Sequence, residues 1–233
     1  MEKLKKVSGQ FGIAWAKWVI KRKWLVLIVS VLTFMILGFG MSKLAFDGDY
    51  RVFFSKDNPQ LLAYEAFQKK YTQDDNVLIV IEPQDGHTFT KESLAAIEEL
   101  TGKSWQTPYS SRVDAITNFQ HTYAIGDELY VEDLADNVGE RADEEIKKIE
   151  RIALNEPLLV NRLLNEQGTV SAVNITVKLP GEAITEGPEV TAYVREMVAE
   201  FEKEHPGLKT HLSGIIMLNS AFFEASAKGT PAP

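Results

Sequence analysis

The sequence predicts an α+β domain carried behind a single transmembrane helix. Three observations carry this. An uncharged apolar run lies near the amino end, an order of strand, helix, strand occurs twice after it, and the charge changes sign between the two parts. The chain has 233 residues, 45% of them apolar and 25% charged, with a formal net charge of −8. That balance belongs to a folded chain rather than a disordered one. With no cysteine, disulfide frameworks, thiolate metal sites and cysteine nucleophiles are excluded.

The first element is the membrane run. Residues 24–42 (WLVLIVSVLTFMILGFGMS) carry no charge and as a helix would span about 28 Å, close to the hydrocarbon core of a bilayer. Its hydroxyl residues Ser30 and Thr33 are tolerated there because they return a hydrogen bond to the backbone one turn earlier. Gly38 and Gly40 offer a small-residue face. Residues 1–23 hold seven basic side chains and one acidic one, whereas residues 43–233 hold 18 basic and 32 acidic ones. Lys21, Arg22 and Lys23 abut the amino end of the run and only Lys43 the other, which places residues 1–23 in the cytoplasm and the rest outside. A cleaved signal peptide is the competing reading. The long basic start, the length of the apolar core and the poor cleavage site at Ser42, Lys43, Leu44 and Ala45 argue against it. Residues 7–23 form an interfacial helix with Phe11, Trp15, Trp18 and Val19 on one side. Trp15, Trp18 and Trp24 suit the headgroup level, and packing on neighbouring protein accounts for them equally well.

The outer domain spans residues 43–228. Asp47-Gly48 and Asp57-Asn58-Pro59 are turn signals, and a short helix follows over residues 60–71. Residues 76–83 (NVLIVIEP) form a continuous apolar run that reads as a central strand buried on both faces. Residues 90–103 make a helix, with Thr90 and Ser93 at its start and Leu94, Ile97 and Leu100 as its stripe. A second strand is expected over residues 112–119. Residues 169–179 alternate, with Val173, Ile175, Val177 and Leu179 on one side. A helix over residues 189–203 buries Val190, Val194, Met197, Val198 and Phe201, and His205-Pro206-Gly207 ends it. A last strand covers residues 208–214. This order is a pair of split β-α-β units, the ferredoxin-like arrangement. Between the halves lies an acidic, mostly helical insert over about residues 120–167, in which Ile146, Ile149 and Ile152 recur three apart and the charge reads as a solvated face.

No catalytic constellation emerges. His87, His121, His205 and His211 show no metal-ligand spacing, and nucleophile elbow, phosphate loop and dinucleotide fingerprint are all missing. Asp47 and Asp49 begin no calcium loop. The Asn174-Ile175-Thr176 sequon lies inside a strand. The expectation is therefore a non-enzyme without cofactor or metal site. The acidic outer domain also lacks the basic footprint of a nucleic-acid binder. The membrane run holds no titratable group, so this chain alone cannot couple proton movement to a change of shape.

The ordered segments DGDYRVFFSKDNP, DDNVLIVIEP, FTKESLAAIEELT, RVDAITNF, GDELYVEDL, NEPLLVNRLL, VNITVKLPG and EHPGLKTHLSGIIMLNSAFFEAS, behind one membrane helix, resemble the opening of a resistance–nodulation–division (RND) superfamily exporter. The nearest branch is the one of MMPL and patched-like proteins. The resemblance covers residues 10–227 or so, and no single motif carries it. It implies a periplasmic porter domain with ferredoxin-like modules at a bacterial inner membrane. Its partners would be further membrane helices and a second porter domain, and its cargo hydrophobic or amphiphilic molecules, lipids among them, moved at the expense of the proton gradient. A homo-oligomer stays open. In the family, residues like 217–226 lead into a second membrane helix, whereas here a short tail over residues 229–233 follows. This implies a shortened exporter that is not transport-competent alone. The alternative is a single-pass, membrane-anchored periplasmic binding or accessory protein. Candidate residues for an apolar substrate wall are Tyr50, Phe53, Phe54 and Tyr123, each with ordinary packing as the competing account.

Overall fold

The structure, a computed structural model, describes residue 12 and residues 15–41, 54–55, 57–71, 75–183 and 185–229. It divides into two compact units, Met1–Asp47 and Gly48–Pro233.

In the first unit, residues 15–21 are helical and Trp15 stacks on Trp18 with ring centroids 5.5 Å apart. Helix α1 (Lys23–Met41) follows. Its apolar side chains are exposed almost throughout; Phe34 is 82% exposed. The stretch Lys23–Gly40 is long and apolar enough to cross a membrane, the one such helix among the described residues. The Thr33 hydroxyl donates to the Val29 carbonyl at 2.8 Å, so no polar group of that side chain is left bare to an apolar solvent.

The second unit is mixed α+β. Helix α2 (Pro59–Tyr71) begins at a turn in which the Asn58 side-chain oxygen accepts from the backbone N–H of Gln60 at 2.9 Å and Leu61 at 3.3 Å. Pro59 fits the first helical position because it has no N–H to satisfy there. A four-stranded sheet follows, built from β1 (Asp75–Pro83), β2 (Ser110–Asp114), β5 (Ser171–Val177) and β6 (Leu208–Ser213) in the order β2-β5-β1-β6. Every neighbouring pair is antiparallel. Helix α3 (Lys91–Ser104) joins β1 to β2, and α5 (Glu186–Glu204) joins β5 to β6. α3 packs on β2 and β5, α5 on β6, and the two helices meet. Thr90 caps α3 by accepting from the Ser93 N–H. Leu94, Ile97, Leu100, Val190, Val194 and Phe201 are fully buried against Val77, Ile79, Ile81, Val173, Ile175 and Val177. Both helical stripes are thus seated as the spacing predicts.

Helix α6 (Ile215–Gly229) leaves β6 through Gly214. Gly214 has φ +103°, and a Cβ there would stand 2.4 Å from the Asn76 carbonyl oxygen. Only glycine allows the chain to turn this closely over β1. The expected tail over residues 229–233 differs at its start, since Gly229 is still helical; residues 230–233 lie outside the described residues.

Three expectations are corrected. The apolar run of β1 is central but not buried on both faces, because Leu78 and Val80 are only half-buried while Val77, Ile79 and Ile81 are fully buried. Helices cover one face, so alternate side chains look out from the other. The second strand stops at Asp114 instead of running over residues 112–119. Asn118 takes over the backbone pairing there, accepting from the Ala115 N–H at 2.8 Å and donating to the Val113 carbonyl at 2.7 Å. A side-chain amide that satisfies the main chain locally ends a strand. Finally, the insert is not mostly helical. It opens as a hairpin of β3 (Gln120–Ile125) and β4 (Glu128–Asp133) around Gly126, whose φ is +63°. Only then come a short 3-10 turn (Val138–Glu140) and helix α4 (Asp143–Leu154). Ile146 and Ile149 are buried and Ile152 packs beside them, so the three-residue spacing does mark the inner side of α4. Residues 155–170 then return to the sheet, where the Ala172 N–H donates to the Leu163 carbonyl at 2.8 Å.

Candidate functional site

The open face of the sheet is the place where chemistry-bearing side chains gather. A cavity of about 740 Å³ lies over it. Asn76 and Leu78 of β1, Asn174 of β5 and Arg112 and Asp114 of β2 form its floor. One wall is the turn after β2 with Asn118 and Phe119; the other is the returning insert with Leu158, Arg162 and Leu163.

The floor is held rigidly. The Asn76 side-chain N–H donates to the Asn174 side-chain oxygen at 2.7 Å, and the Asn76 oxygen accepts from the Ile215 N–H at 3.3 Å. Asn118 is spent on the backbone, as above. Arg112 Nε donates to Asp114 Oδ1 at 2.7 Å, which neutralises that pair. Arg162 differs, because its guanidinium has no acceptor among the described residues. The cavity therefore combines fixed amides, an apolar strip and, among the described residues, one uncommitted cation. Pockets that orient small molecules have this composition of apolar lining with few placed polar groups.

A second cluster joins α3 to the end of α5. Glu99, Glu204 and His205 lie close enough to hold a metal ion. Lys103 Nζ already sits there, 2.8 Å from Glu99 Oε1 and 2.8 Å from Glu204 Oε2, and His205 Nε2 is 3.1 Å from Glu99 Oε2. The lysine supplies the positive charge that a cation would bring. Its hydrogen bond holds the Glu99 carboxyl below the ordinary carboxylate value, against the opposing effect of burial, with His205 adding to the lowering. The lysine itself is raised, chiefly through Glu204 and then Glu99. The arrangement is an ion-pair staple between two helices.

Two further carboxylates work on the backbone. Burial alone would raise Glu186, yet it lies below the ordinary value because its oxygens accept from the N–H groups of Gly181, Glu182 and Ala183 at 2.8, 2.9 and 2.9 Å. Glu202 is lowered by the Thr210 hydroxyl and then by the Thr210 N–H, at 2.6 and 2.8 Å. This second contact covers a donor on the edge strand β6 that would otherwise invite another strand.

Of the four residues expected to form a substrate wall, two fall among the described residues, and neither lines the cavity. Tyr50 and Phe53 lie outside the described residues. Phe54 is 48% exposed. Tyr123 belongs to the hairpin, where it stacks between His121 and Tyr130 with centroids 5.6 and 5.5 Å away, and it does not line the cavity. The lining residues Asn76, Arg112, Asn118, Phe119, Leu158, Arg162 and Asn174 were not singled out as candidates from sequence. The available signal was an asparagine in each of two otherwise apolar strands. An amide there faces away from a hydrophobic core and towards something polar.

No known protein-family model matches the chain, and no curated protein matches it.

Proposed function

We propose that the chain is the amino-terminal part of an RND-type, MMPL-like exporter of hydrophobic or amphiphilic molecules. Its apolar helix would be a first membrane helix and its α+β unit a porter domain. One observation supports this best. A single apolar helix precedes a unit in which two strand-helix-strand segments interleave in the order β2-β5-β1-β6, all neighbours antiparallel. That interleaving is what a ferredoxin-like split β-α-β pair requires, and it agrees with the architecture the resemblance implies. On this reading residues 1–23 are cytoplasmic, the domain is periplasmic at a bacterial inner membrane, and the domain serves as a transport wall rather than a catalyst. The driving force would come from acidic residues in membrane helices of the complete transporter, which the apolar helix here does not contain.

The decisive experiment reads the gene past codon 233. A frame that continues, or resumes after one shift, into further apolar spans with a buried acidic residue supports the exporter. A stop with no such spans downstream replaces it with the anchored accessory protein, whose domain would act through its own core and cavity. Protease added to the outside of spheroplasts is expected to digest the α+β unit and leave residues 1–23 protected; the reverse pattern overturns the orientation.

A further inference from the structure

We propose that the cavity on the open sheet face binds an amphiphile with one anionic head, its acid held by Arg162 and its apolar part lying on Leu78, Phe119, Leu158 and Leu163. The proposal does not depend on transport and applies equally to an exporter module and to an anchored accessory protein.

The argument begins with charge. Residues 43–233 carry 18 basic and 32 acidic side chains, so the domain as a whole repels anions. Among the described charged residues lining the cavity the balance reverses, with Arg112 and Arg162 against Asp114. The Arg112 charge is answered by Asp114 at 2.7 Å. Arg162 lines the cavity without a protein acceptor among the described residues. A guanidinium presents a fork that matches a carboxylate or phosphate, and pairs of this kind are stronger than neutral hydrogen bonds.

The rest of the lining selects against a purely polar anion. Leu158 is 57% exposed although it points into a cavity that also holds Leu78, Phe119 and Leu163. That strip gains by being covered with an alkyl chain, at roughly 25 cal/mol per Å² of apolar surface removed from water. The amides cannot re-aim to solvate a sugar or a nucleotide, because Asn76, Asn174 and Asn118 are already committed to one another or to the backbone. A volume of about 740 Å³ is in the range that accepts a ligand of this size. The same chemistry is offered by a free fatty acid and by an anionic phospholipid.

The test uses the full chain in phosphatidylcholine nanodiscs. Diazirine-tagged palmitic acid, its methyl ester and diazirine-tagged phosphatidic acid are photolysed separately, and the labelled peptides are located by mass spectrometry. The acid is expected to label peptides containing residues 115–120 and 158–163, and the ester not. Arg162→Glu, an exposed change that leaves the unfolding midpoint unaltered, should lower this labelling about tenfold, the size of a lost charged hydrogen bond. Leu158→Asp should lower it as well, whereas Arg151→Glu on α4 should leave it unchanged. Labelling by phosphatidic acid in addition identifies the bilayer as the source; labelling by palmitic acid alone identifies a free amphiphile. Equal labelling by the ester, full labelling of the Arg162→Glu chain, or labels confined to peptides outside the cavity walls would overturn the proposal.

Discussion

On the helix-covered face of the sheet Val77, Ile79, Val173 and Ile175 are fully buried, while on the opposite face of the same two strands Asn76, Leu78, Asn174 and Thr176 are only half-buried. The two faces are one residue out of step along each strand, so the pleat alone separates them. The covered face gains its free energy from apolar burial and close packing. The open face keeps amides, an ion pair and a guanidinium that has no acceptor among the described residues, all lining a cavity. Core packing and the proposed recognition thus fall on alternate positions of the same strands, and each can be altered separately.

The largest expected effect breaks the covered face. Ile79→Ala should destabilise the domain by about 2–5 kcal/mol, because the neighbouring helices cannot collapse fully into the void. Leu78→Ala, next to it on the open face, should cost about 1 kcal/mol, in keeping with partial burial. Urea denaturation of the detergent-solubilised chain measures both. Similar losses at the two positions would refute the division of labour.

Next comes the joint between β6 and α6. Gly214→Ala combines φ +103° with a Cβ 2.4 Å from the Asn76 carbonyl oxygen and should cost about 2–4 kcal/mol. Since Asn76 also receives the Ile215 N–H, the substitution should disturb the cavity floor as well as stability. Amide hydrogen exchange over β1 would show this.

A smaller effect concerns pH. Glu186 and Glu202 titrate below the ordinary value of 4.5. A carboxylate depressed in the folded state contributes stability that is fully present above its unfolded value and is lost as pH falls through the folded one. The unfolding midpoint should therefore be level above about pH 5 and drop below 4.5. Glu202→Gln should flatten the acid drop while lowering the plateau, because β6 loses its contact to α5. An unchanged acid limb would remove Glu202 from this account.

The smallest effect is at the Glu99–Lys103–Glu204 staple. The three side chains are between 31% and 46% exposed, and solvent screens such pairs heavily. Lys103→Met should leave the urea midpoint unmoved within error. A clear loss would show that the staple, rather than core packing, holds α3 to α5.

The covered face was legible from periodicity. Val173, Ile175 and Val177 alternate, and Val190, Val194 and Phe201 recur at helical spacing, so burial follows directly from local geometry. The hairpin was equally available. Gly126-Asp127 separates two alternating segments, and a two-residue turn of this composition favours a hairpin; the acidic character of the insert outweighed that signal. The end of β2 was harder to see, because it depends on Asn118 reaching back to Val113 and Ala115. Of the cavity, only the asparagines of β1 and β5 gave a signal, and they mark a polar neighbour without saying what encloses it. The cavity walls come from residues 115–120 and residues 158–163, and the floor from three strands that are distant in sequence.

The sequence by itself determined the uncharged helix, the apolar stripes of the two crossover helices, the order of the four sheet strands and those helices, and the contrast between a basic start and an acidic domain. These are local properties, set by side-chain period and by charge count. Only the tertiary structure decided that one face of β1 stays open, that the insert returns to wall it, and that Arg162 arrives there with no acceptor among the described residues while Arg112 is neutralised. Those outcomes depend on which strands become neighbours. A strand's period records which side chains share a face, but not what will cover that face.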